Sequence, residues 1–384
     1  MKKARIIAFY LPQYHPVKEN DEIWGKGFTE WVNVAKARPL FKGHYQPQLP
    51  SELGFYDLRD ERVRVEQAEL AKKYGIEGFC YWHYWFGNGK RILEMPFNEV
   101  VSSGKPDFPF CLAWANHSWS TKTWNNVQRN TSETVFLKQE YLGRKDYEMH
   151  FYALLRAFKD ERYIRVDGKL LFVIFDPDGI PENDLKEFID TWRELAEYNN
   201  LPGFFFVGRS LAIGKLTTQN VKMAINGENP IGKYNKLLTY GFDGVWSNNL
   251  RRAEISSNGF ASFVIKRFMV NKVKMPLLDR YRYEKIIANF FTEADKEEYV
   301  FPMILPRWDK TPRQGKKADI IYGSTPQLFE KHVEDAIEVI SKKKEEHRIL
   351  FLQAWNEWGE GNYMEPDCVY GRQYLEALHN ALNN

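Results

Sequence analysis

The sequence of 384 residues has only three cysteines, Cys80, Cys111 and Cys368, and no long apolar run. A small, odd number of cysteines argues against a disulfide framework, and Cys80 and Cys111 lie in apolar runs, where a thiol packs as a core residue. No stretch approaches the ~18 apolar residues of a membrane span. The apolar residues 6–11 are too few for a signal peptide. We therefore expect a soluble, reduced, cytoplasmic protein.

An excess of charge of one sign is also missing, because 54 Lys and Arg face 51 Asp and Glu, for a net charge of +3. This balance predicts no nucleic-acid partner. The segment from Arg251 to Lys285 differs, with nine basic and three acidic residues, a net +6. Such clusters are usually solvated faces. Peripheral contact with a membrane or a lipid-linked sugar is the alternative interpretation.

The common phosphate-cradling and zinc-binding motifs are absent as well. The sequence contains no G-x-x-x-x-G-K-[ST] and no G-x-G-x-x-G after a strand, the two motifs that cradle phosphates. It has no H-E-x-x-H and no cysteine pair at zinc spacing. We therefore expect no cofactor and no metal ion. A metal held between His83 and His117 is a less favoured alternative to contacts with sugar hydroxyls.

Short apolar runs alternate with segments of helical spacing, which predicts an α/β fold with right-handed crossovers. Continuous apolar runs indicate strands buried on both faces. Eight repeats favour a (β/α)8 TIM-type barrel with long loops at the carboxyl ends of the strands, although the pattern alone leaves an open doubly wound sheet possible. The predicted strands are 5–11, 78–82, 110–115, 170–176, 204–208, 244–247, 300–306 and 349–355, and the predicted helices are 59–74, 144–158, 182–198, 284–293 and 326–344.

No Gly/Ser linker or low-complexity tract interrupts the chain, so we predict one domain over residues 1–384. The longest predicted loop, residues 12–58, carries its own aromatic residues. A long loop in a compact domain is usually functional. We expect it to lie over the carboxyl ends of the strands.

Aromatic residues make up 16% of the chain, and many of them follow predicted strands together with polar residues. Sugar rings bind on aromatic faces, because their C–H faces are apolar and their edges polar. In a barrel, the residues after the strands meet in one pocket. Core packing is the alternative for the tryptophans, and ion pairing at strand ends is the alternative for the charged residues. The predicted substrate-binding residues are Tyr10, Tyr14, Trp82, His83, Tyr84, Trp114, Asn116, Trp119, Asp176, Arg209, Trp246, Trp308, Asp309, Trp355 and Asn356.

Two carboxylates, Glu357 and Glu360, lie just past the last predicted strand and beside the indoles of Trp355 and Trp358. Cleavage of a glycosidic bond needs one carboxyl group to protonate the leaving oxygen and a second to act as base or nucleophile. Glu357 and Glu360 are therefore the predicted catalytic residues. The alternative is a solvated acidic turn.

Five stretches, residues 8–15, 24–31, 78–85, 112–116 and 355–361, resemble the WbsX-type, glycoside hydrolase family 99-like proteins. The resemblance implies the barrel fold of the endo-α-mannosidases. Such proteins are often encoded with bacterial surface-polysaccharide genes and have been labelled glycosyltransferases.

The resemblance also implies a reaction in which Glu357 takes the proton of the sugar 2-hydroxyl, which attacks the anomeric carbon to give a 1,2-anhydro sugar. Glu360 protonates the leaving oxygen and then activates water, so configuration is retained. This route implies a mannose-like axial 2-hydroxyl. An acid must hold its proton near neutral pH, so we expect a raised pKa for Glu360.

Three functions follow from these observations. The first is a retaining, mannosidase-like glycoside hydrolase that acts on a bacterial surface polysaccharide or its intermediates. The second is a glycosyltransferase of lipopolysaccharide O-antigen or capsule biosynthesis. The third is a non-catalytic carbohydrate-binding protein. In each case the predicted partner is an oligo- or polysaccharide.

Overall fold

Eight parallel strands form a closed barrel in the computed structural model, which describes residues 3–120, 135–213, 217–271 and 278–384. Each strand pairs with the next along the chain, and the last pairs with the first, from Arg5 opposite Ile349 to Ala8 opposite Leu352. This closure confirms the predicted (β/α)8 barrel and excludes the open sheet. The strands are β1 Arg5–Tyr10, β2 Ile76–Trp85, β3 Phe110–Trp114, β4 Lys169–Ile174, β5 Phe204–Leu211, β6 Gly244–Asn248, β7 Val300–Ile304 and β8 Ile349–Leu352.

The barrel interior is filled by aromatic rings. Phe9 stacks on Trp82 with 4.7 Å between ring centroids, and it packs at 4.4 Å from Trp246 and 5.3 Å from Phe351. A TIM-type barrel has a packed core rather than a pore, so a site has to be built at one end of it.

Helices surround the barrel and bury their apolar faces against it. Trp192 of one outer helix packs at 5.2 Å from Phe204 of β5 and at 5.5 Å from Phe158 of the neighbouring helix. The helices are α1 Lys18–Trp24, α2 Glu30–Lys36, α3 Glu61–Lys73, α4 Met95–Ser103, α5 Arg144–Phe158, α6 Glu182–Tyr198, α7 Thr218–Ile225, α8 Ile231–Thr239, α9 Leu250–Asn271, α10 Tyr283–Ile287, α11 Thr311–Gln314, α12 Pro326–Ile340 and α13 Gln373–Asn383.

Four of the five predicted helices are present within a few residues of their predicted bounds, but the prediction for 284–293 is wrong. The helix there, α10, ends at Ile287. Thr292 and Asp295 form a capping box that starts a separate 3₁₀ turn at Glu293–Lys296. A cap fixes non-helical backbone at the capping residue, so one continuous helix cannot pass through Thr292.

The loop 12–58 lies over the carboxyl ends of the strands, as predicted. Tyr14 donates a hydrogen bond to the carbonyl of Asn356, beyond β8, at 2.7 Å. His44 and Gln46 both contact Asp309, beyond β7, at 2.7 and 2.6 Å. The loop therefore bridges the segments that follow the last two strands.

The basic segment from Arg251 to Lys285 runs through α9, which has a kink at Gly259, into α10. Residues 272–277 of this segment lie outside the described residues. Arg251 forms an ion pair with Glu254 at 2.9 Å, and the Arg280 guanidinium lies 4.7 Å from the Phe41 ring centroid. Within the described ranges, no helix combines the length and apolar character needed to cross a membrane. Contact of this segment with a lipid surface remains a prediction.

Candidate active site

A short hairpin after β8 carries the two predicted catalytic carboxylates. It pairs Asn356–Glu357 with Asn362–Tyr363. The Asn356 side chain accepts a hydrogen bond from the backbone N–H of Leu11 at 2.8 Å and donates to the Leu11 carbonyl at 3.0 Å. The Tyr14 hydroxyl also accepts from the backbone N–H of Trp358 at 3.0 Å. Asn356 and Tyr14 thus attach the hairpin to the segment after β1 and fix the backbone position of Glu357.

One guanidinium holds both carboxylates. Arg313, on α11 after β7, donates from Nη2 to Glu357 at 2.5 Å and from Nη1 to Glu360 at 2.8 Å. It also forms an ion pair at 3.0 Å with Glu30, a fully buried residue of the segment 12–58. Lys310 Nζ lies 3.6 Å from the other oxygen of Glu360. With all groups ionised, three carboxylates face two cations, so one bound proton makes the cluster neutral.

The cluster separates the acidities of the two carboxyl groups. Burial raises the pKa of Glu357 to about 8, against the opposing effect of Arg313. Burial acts in the same direction on Glu360, but Lys310 and Arg313 together hold its pKa below the ordinary value. The predicted raised pKa of Glu360 is therefore wrong for the free protein. The physical reason is Lys310, whose ammonium contacts Glu360 and not Glu357.

A cavity of about 260 Å³ opens beside these carboxylates at the carboxyl ends of the strands. Its volume lies near the lower end of the roughly 300–1,000 Å³ typical of ligand clefts. Trp82 forms part of its wall, backed by the stacked ring of Phe9. Seven of the predicted residues line it: Trp82, Tyr84, Trp119, Arg209, Trp308, Glu357 and Glu360.

Five predicted aromatic or imidazole residues pack in the core and do not line the cavity. All are at most 5% exposed. Their polar atoms or rings have internal partners: Tyr10 donates to Gln67 at 2.6 Å, His83 contacts His150 at 2.8 Å, Trp114 donates to the Trp85 carbonyl at 3.1 Å, Trp246 packs on Phe9, and Trp355 packs at 5.4 Å from Phe79. Since these side chains are enclosed by protein, the structure does not bring them to a substrate.

The predicted polar residues Asn116, Asp176 and Asp309 mainly make hydrogen bonds or ion pairs within the protein. Asn116 exchanges two hydrogen bonds of 2.8 Å with the backbone of Asp176. Asp309 is buried and accepts from His44, Gln46 and the backbone of Thr311. The Asp176 carboxylate remains 40% exposed, 3.9 Å from Arg209. It therefore lies next to a cavity residue without lining the cavity itself.

Four residues of the site are not among the predicted ones. Arg313, Lys310 and Glu30 form the charged cluster, and Glu365 lies behind the hairpin. Glu365 accepts hydrogen bonds from Trp358 and Gln67, both at 2.6 Å, and burial raises its pKa to about 7. A basic residue soon after β7 is a signal in the sequence, but nothing in the pattern pairs Arg313 with a glutamate 283 positions away.

Residues 6–378 match the family model described as "Glycosyltransferase WbsX". The chain belongs to the WbsX family. Two proteins of Xanthomonas campestris pv. campestris, each described as "Uncharacterized protein WxcX", are 30% and 32% identical over 99% of the chain and 50% of their own length. This member of the WbsX family thus spans about half the length of the relatives it matches.

Solved structures share the barrel. A "Glycoside hydrolase-like protein" superposes with a TM-score of 0.60 at 14% identity, over 100% of this chain and 94% of that one. The GH99 endo-alpha-mannosidase of Bacteroides thetaiotaomicron, in complex with Bis-Tris-propane, gives a TM-score of 0.56 at 14% identity, over 100% and 97%. At this identity the likeness shows the fold alone.

Gly359 is the residue of the hairpin where a side chain has no room. A Cβ there would lie 1.9 Å from Glu30 Oε2 and 2.9 Å from Arg313 Nε. Gly359→Ala is therefore expected to lower the free energy of unfolding by about 1–3 kcal/mol, as overpacking does, measured by urea denaturation. Gly232→Ala on the exposed side of α8, where a Cβ meets nothing within 4 Å, is the matched control and should be neutral or stabilising by up to about 1 kcal/mol. Equal stability of the two variants would contradict the close packing of Gly359.

Proposed function

We propose that this WbsX-family chain is a retaining glycoside hydrolase that acts on a mannose-configured sugar of a bacterial surface polysaccharide or its intermediates. One observation carries the proposal. Glu357 and Glu360 share the Arg313 guanidinium at the wall of a cavity lined by tryptophans. Hydrolysis with retention uses two carboxyl groups at one sugar, and an aromatic surface suits the apolar face of the sugar ring.

The proposed reaction balances with the two carboxyl groups alone. Glu357 takes the proton of the 2-hydroxyl while O2 bonds to C1, the glycosidic C1–O bond breaks, and Glu360 gives its proton to the leaving oxygen. Water then attacks C1, its proton passes to Glu360, the C1–O2 bond breaks, and Glu357 returns its proton to O2. In the free protein the proton lies on Glu357. Electrostatics alone would therefore make Glu357 the acid and Glu360 the base. Dependence on the leaving group, described below, decides between them.

Transfer to a sugar acceptor is the second candidate, and it agrees with the description of the family model. Asp176 and Asp178 flank Pro177 after β4, and Asp176 lies 3.9 Å from Arg209, which lines the cavity. Paired carboxylates of this kind can hold a divalent cation together with the phosphates of a substrate. A non-catalytic binding protein is less well supported, because sugar binding alone gives no reason to bury a carboxyl group whose pKa is about 8.

The test is turnover of defined manno-oligosaccharides, with products followed by NMR. Hydrolysis without added nucleotide sugar, with the first product in the configuration of the substrate, is the expected result. Product that forms only when a nucleotide sugar is added would replace hydrolysis by transfer. Saturable binding without turnover under either condition would support the binding protein.

The pH dependence of hydrolysis should report the shared proton. The pair works while it holds one proton, so kcat/KM is expected to fall above pH 8, where Glu357 loses its proton, and below pH 4.5, where Glu360 gains one. A profile from pH 3 to 10 measures both limbs. In Glu357→Gln, residual activity should lose the alkaline limb. A limb near pH 8 that persists unchanged in this variant would contradict the assignment.

A further inference from the structure

One guanidinium, that of Arg209, lies at the end of the cavity formed by β4 and β5. It differs from the other buried arginines in lacking a close anionic partner. Arg209, on β5, lies with its guanidinium 3.5 Å from the centroid of the Phe175 ring. Its side chain is 15% exposed, and Nε has no hydrogen-bond partner within the described part of the chain. The carboxylate of Asp176 is 3.9 Å from Nη2, which is too far for a hydrogen bond.

Buried arginines elsewhere in the fold have close anionic partners. Arg313 reaches Glu357 at 2.5 Å, Arg307 reaches Asp367 at 2.5 Å, and Arg64 reaches Glu99 at 2.5 Å. A guanidinium removed from water without such a bond carries a large desolvation cost, and burial lowers the pKa of Arg209 to about 10. Arg209 lines the cavity, and its guanidinium donates no hydrogen bond to any residue of the described ranges, so its Nη donors remain for a ligand.

The surroundings of Arg209 suit an anion. The opposite face of the cavity has carboxylates, but Arg313, Lys310 and one bound proton together neutralise that cluster. On the β5 side, His117 packs at 5.3 Å from Phe175, and Asn248 completes the lining. Of the two acidic neighbours, Asp176 keeps 40% of its side chain in solvent and Asp178 is exposed. A carboxylate or phosphate inside the cavity would thus meet unused guanidinium donors at one end and a neutralised cluster at the other.

We propose that Arg209 binds a carboxylate or phosphate group carried by the saccharide, so that the substrate is an acidic rather than a neutral sugar chain. This proposal rests on the proposed function for the placement of the saccharide. The planar fork of a guanidinium matches both anions with two parallel hydrogen bonds. The anionic group would lie on the sugar unit at the β5 side, away from the bond held between Glu357 and Glu360.

Binding measurements separate this proposal from hydrolysis. Isothermal titration calorimetry would compare three probes: a mannuronic acid disaccharide, mannose 6-phosphate and neutral mannobiose. In wild type, one or both acidic probes should bind about 10–100-fold more tightly than mannobiose, as a charged hydrogen-bond pair predicts. The two acidic probes distinguish a carboxylate from a phosphate. An acidic preference without turnover would overturn the hydrolase and leave the anion site standing.

Variants test whether Arg209 is the cause. Arg209→Gln should remove the acidic preference, with a larger loss of affinity for the acidic probes than for mannobiose, while Arg209→Lys should keep part of the preference because the charge remains. Arg193→Gln on outer helix α6, where the arginine is paired with Asp243, is the matched control and should bind like wild type. Thermal unfolding checks that each variant folds. Equal affinity of acidic and neutral probes in wild type, or an equal loss for both in Arg209→Gln, would overturn the proposal.

Discussion

Glutamine at Glu357 or at Glu360 is expected to lower kcat/KM for hydrolysis by ~100-fold or more in each single variant. Glutamine keeps the size of the side chain and can still accept a hydrogen bond from Arg313, but it neither takes nor gives a proton. All four proton transfers of the reaction pass through these two groups. Initial rates on a manno-oligosaccharide and on a glycoside with a strongly acidic leaving group measure the effect.

The leaving group distinguishes the two roles. A leaving group that departs without protonation restores activity when the acid is missing and not when the base is missing. Under the proposed reaction, Glu360→Gln is the variant restored. Restoration of Glu357→Gln instead would reverse the roles, and wild-type turnover in both variants would remove the hydrolase proposal.

Stability provides the folding control for these variants. The folded pKa of Glu357, about 8, lies above its ordinary 4.5. A carboxyl group with a raised pKa costs folding free energy as the pH rises from 4.5 through 8, and costs nothing below 4.5. Glu357→Gln should therefore be at least as stable as wild type at pH 8, measured by thermal unfolding. Glu376→Gln on the exposed side of α13 controls for the substitution itself.

Replacement of Arg313 by Met is expected to cost about 3–5 kcal/mol of unfolding free energy at neutral pH, because breaking a buried ion pair leaves charges without a partner. Glu30 is fully buried, and Glu357 and Glu360 are 13% and 19% exposed. All three contact this guanidinium. Methionine fills similar space but offers no charge and no hydrogen-bond donor.

Urea denaturation at two pH values checks the cause of this loss. Without Arg313 the folded pKa values of the carboxyl groups rise, so the variant binds more protons folded than unfolded, and its deficit should shrink as pH falls from 7.5 to 4.5. Arg62→Met is the control, because Arg62 and its partner Asp60 are 86% and 37% exposed and such pairs are worth about 0–1 kcal/mol. A loss of unfolding free energy in Arg313→Met that is no larger than in the control, or that does not change with pH, would contradict the stabilising role of the Arg313 ion pairs.

The barrel was predictable because its strands are continuous apolar runs at regular spacing, and the position of Glu357 and Glu360 followed from the end of the last run. Alternation along a strand explains which neighbours reach the cavity. In β2, Trp82 and Tyr84 face the cavity, while His83 between them points to His150 of α5. In β1, Phe9 lies inside the barrel, and Tyr10 next to it reaches Gln67 of α3. A strict period of two would have assigned His83 and Tyr10 to the outer layer.

The charged cluster could not be predicted in the same way. Glu30 comes from helix α2 after β1, Arg313 from a helix after β7, and Glu360 from a turn after β8. No sequence period relates these positions, because only closure of the barrel brings them together. The difference in pKa between Glu357 and Glu360 depends on Lys310 lying next to Glu360 rather than Glu357. That placement cannot be read from the order of residues in the sequence.

The pairing of β8 with β1 has a consequence for assembly. Glu30 belongs to the early part of the described chain and Glu357 to the late part, yet one guanidinium joins them across the seam of the barrel. A chain interrupted before β8 would leave Arg313 with one of its three carboxylates and the sheet with two unpaired edges. Under the proposed function, the acid–base pair is therefore complete only when the barrel is closed.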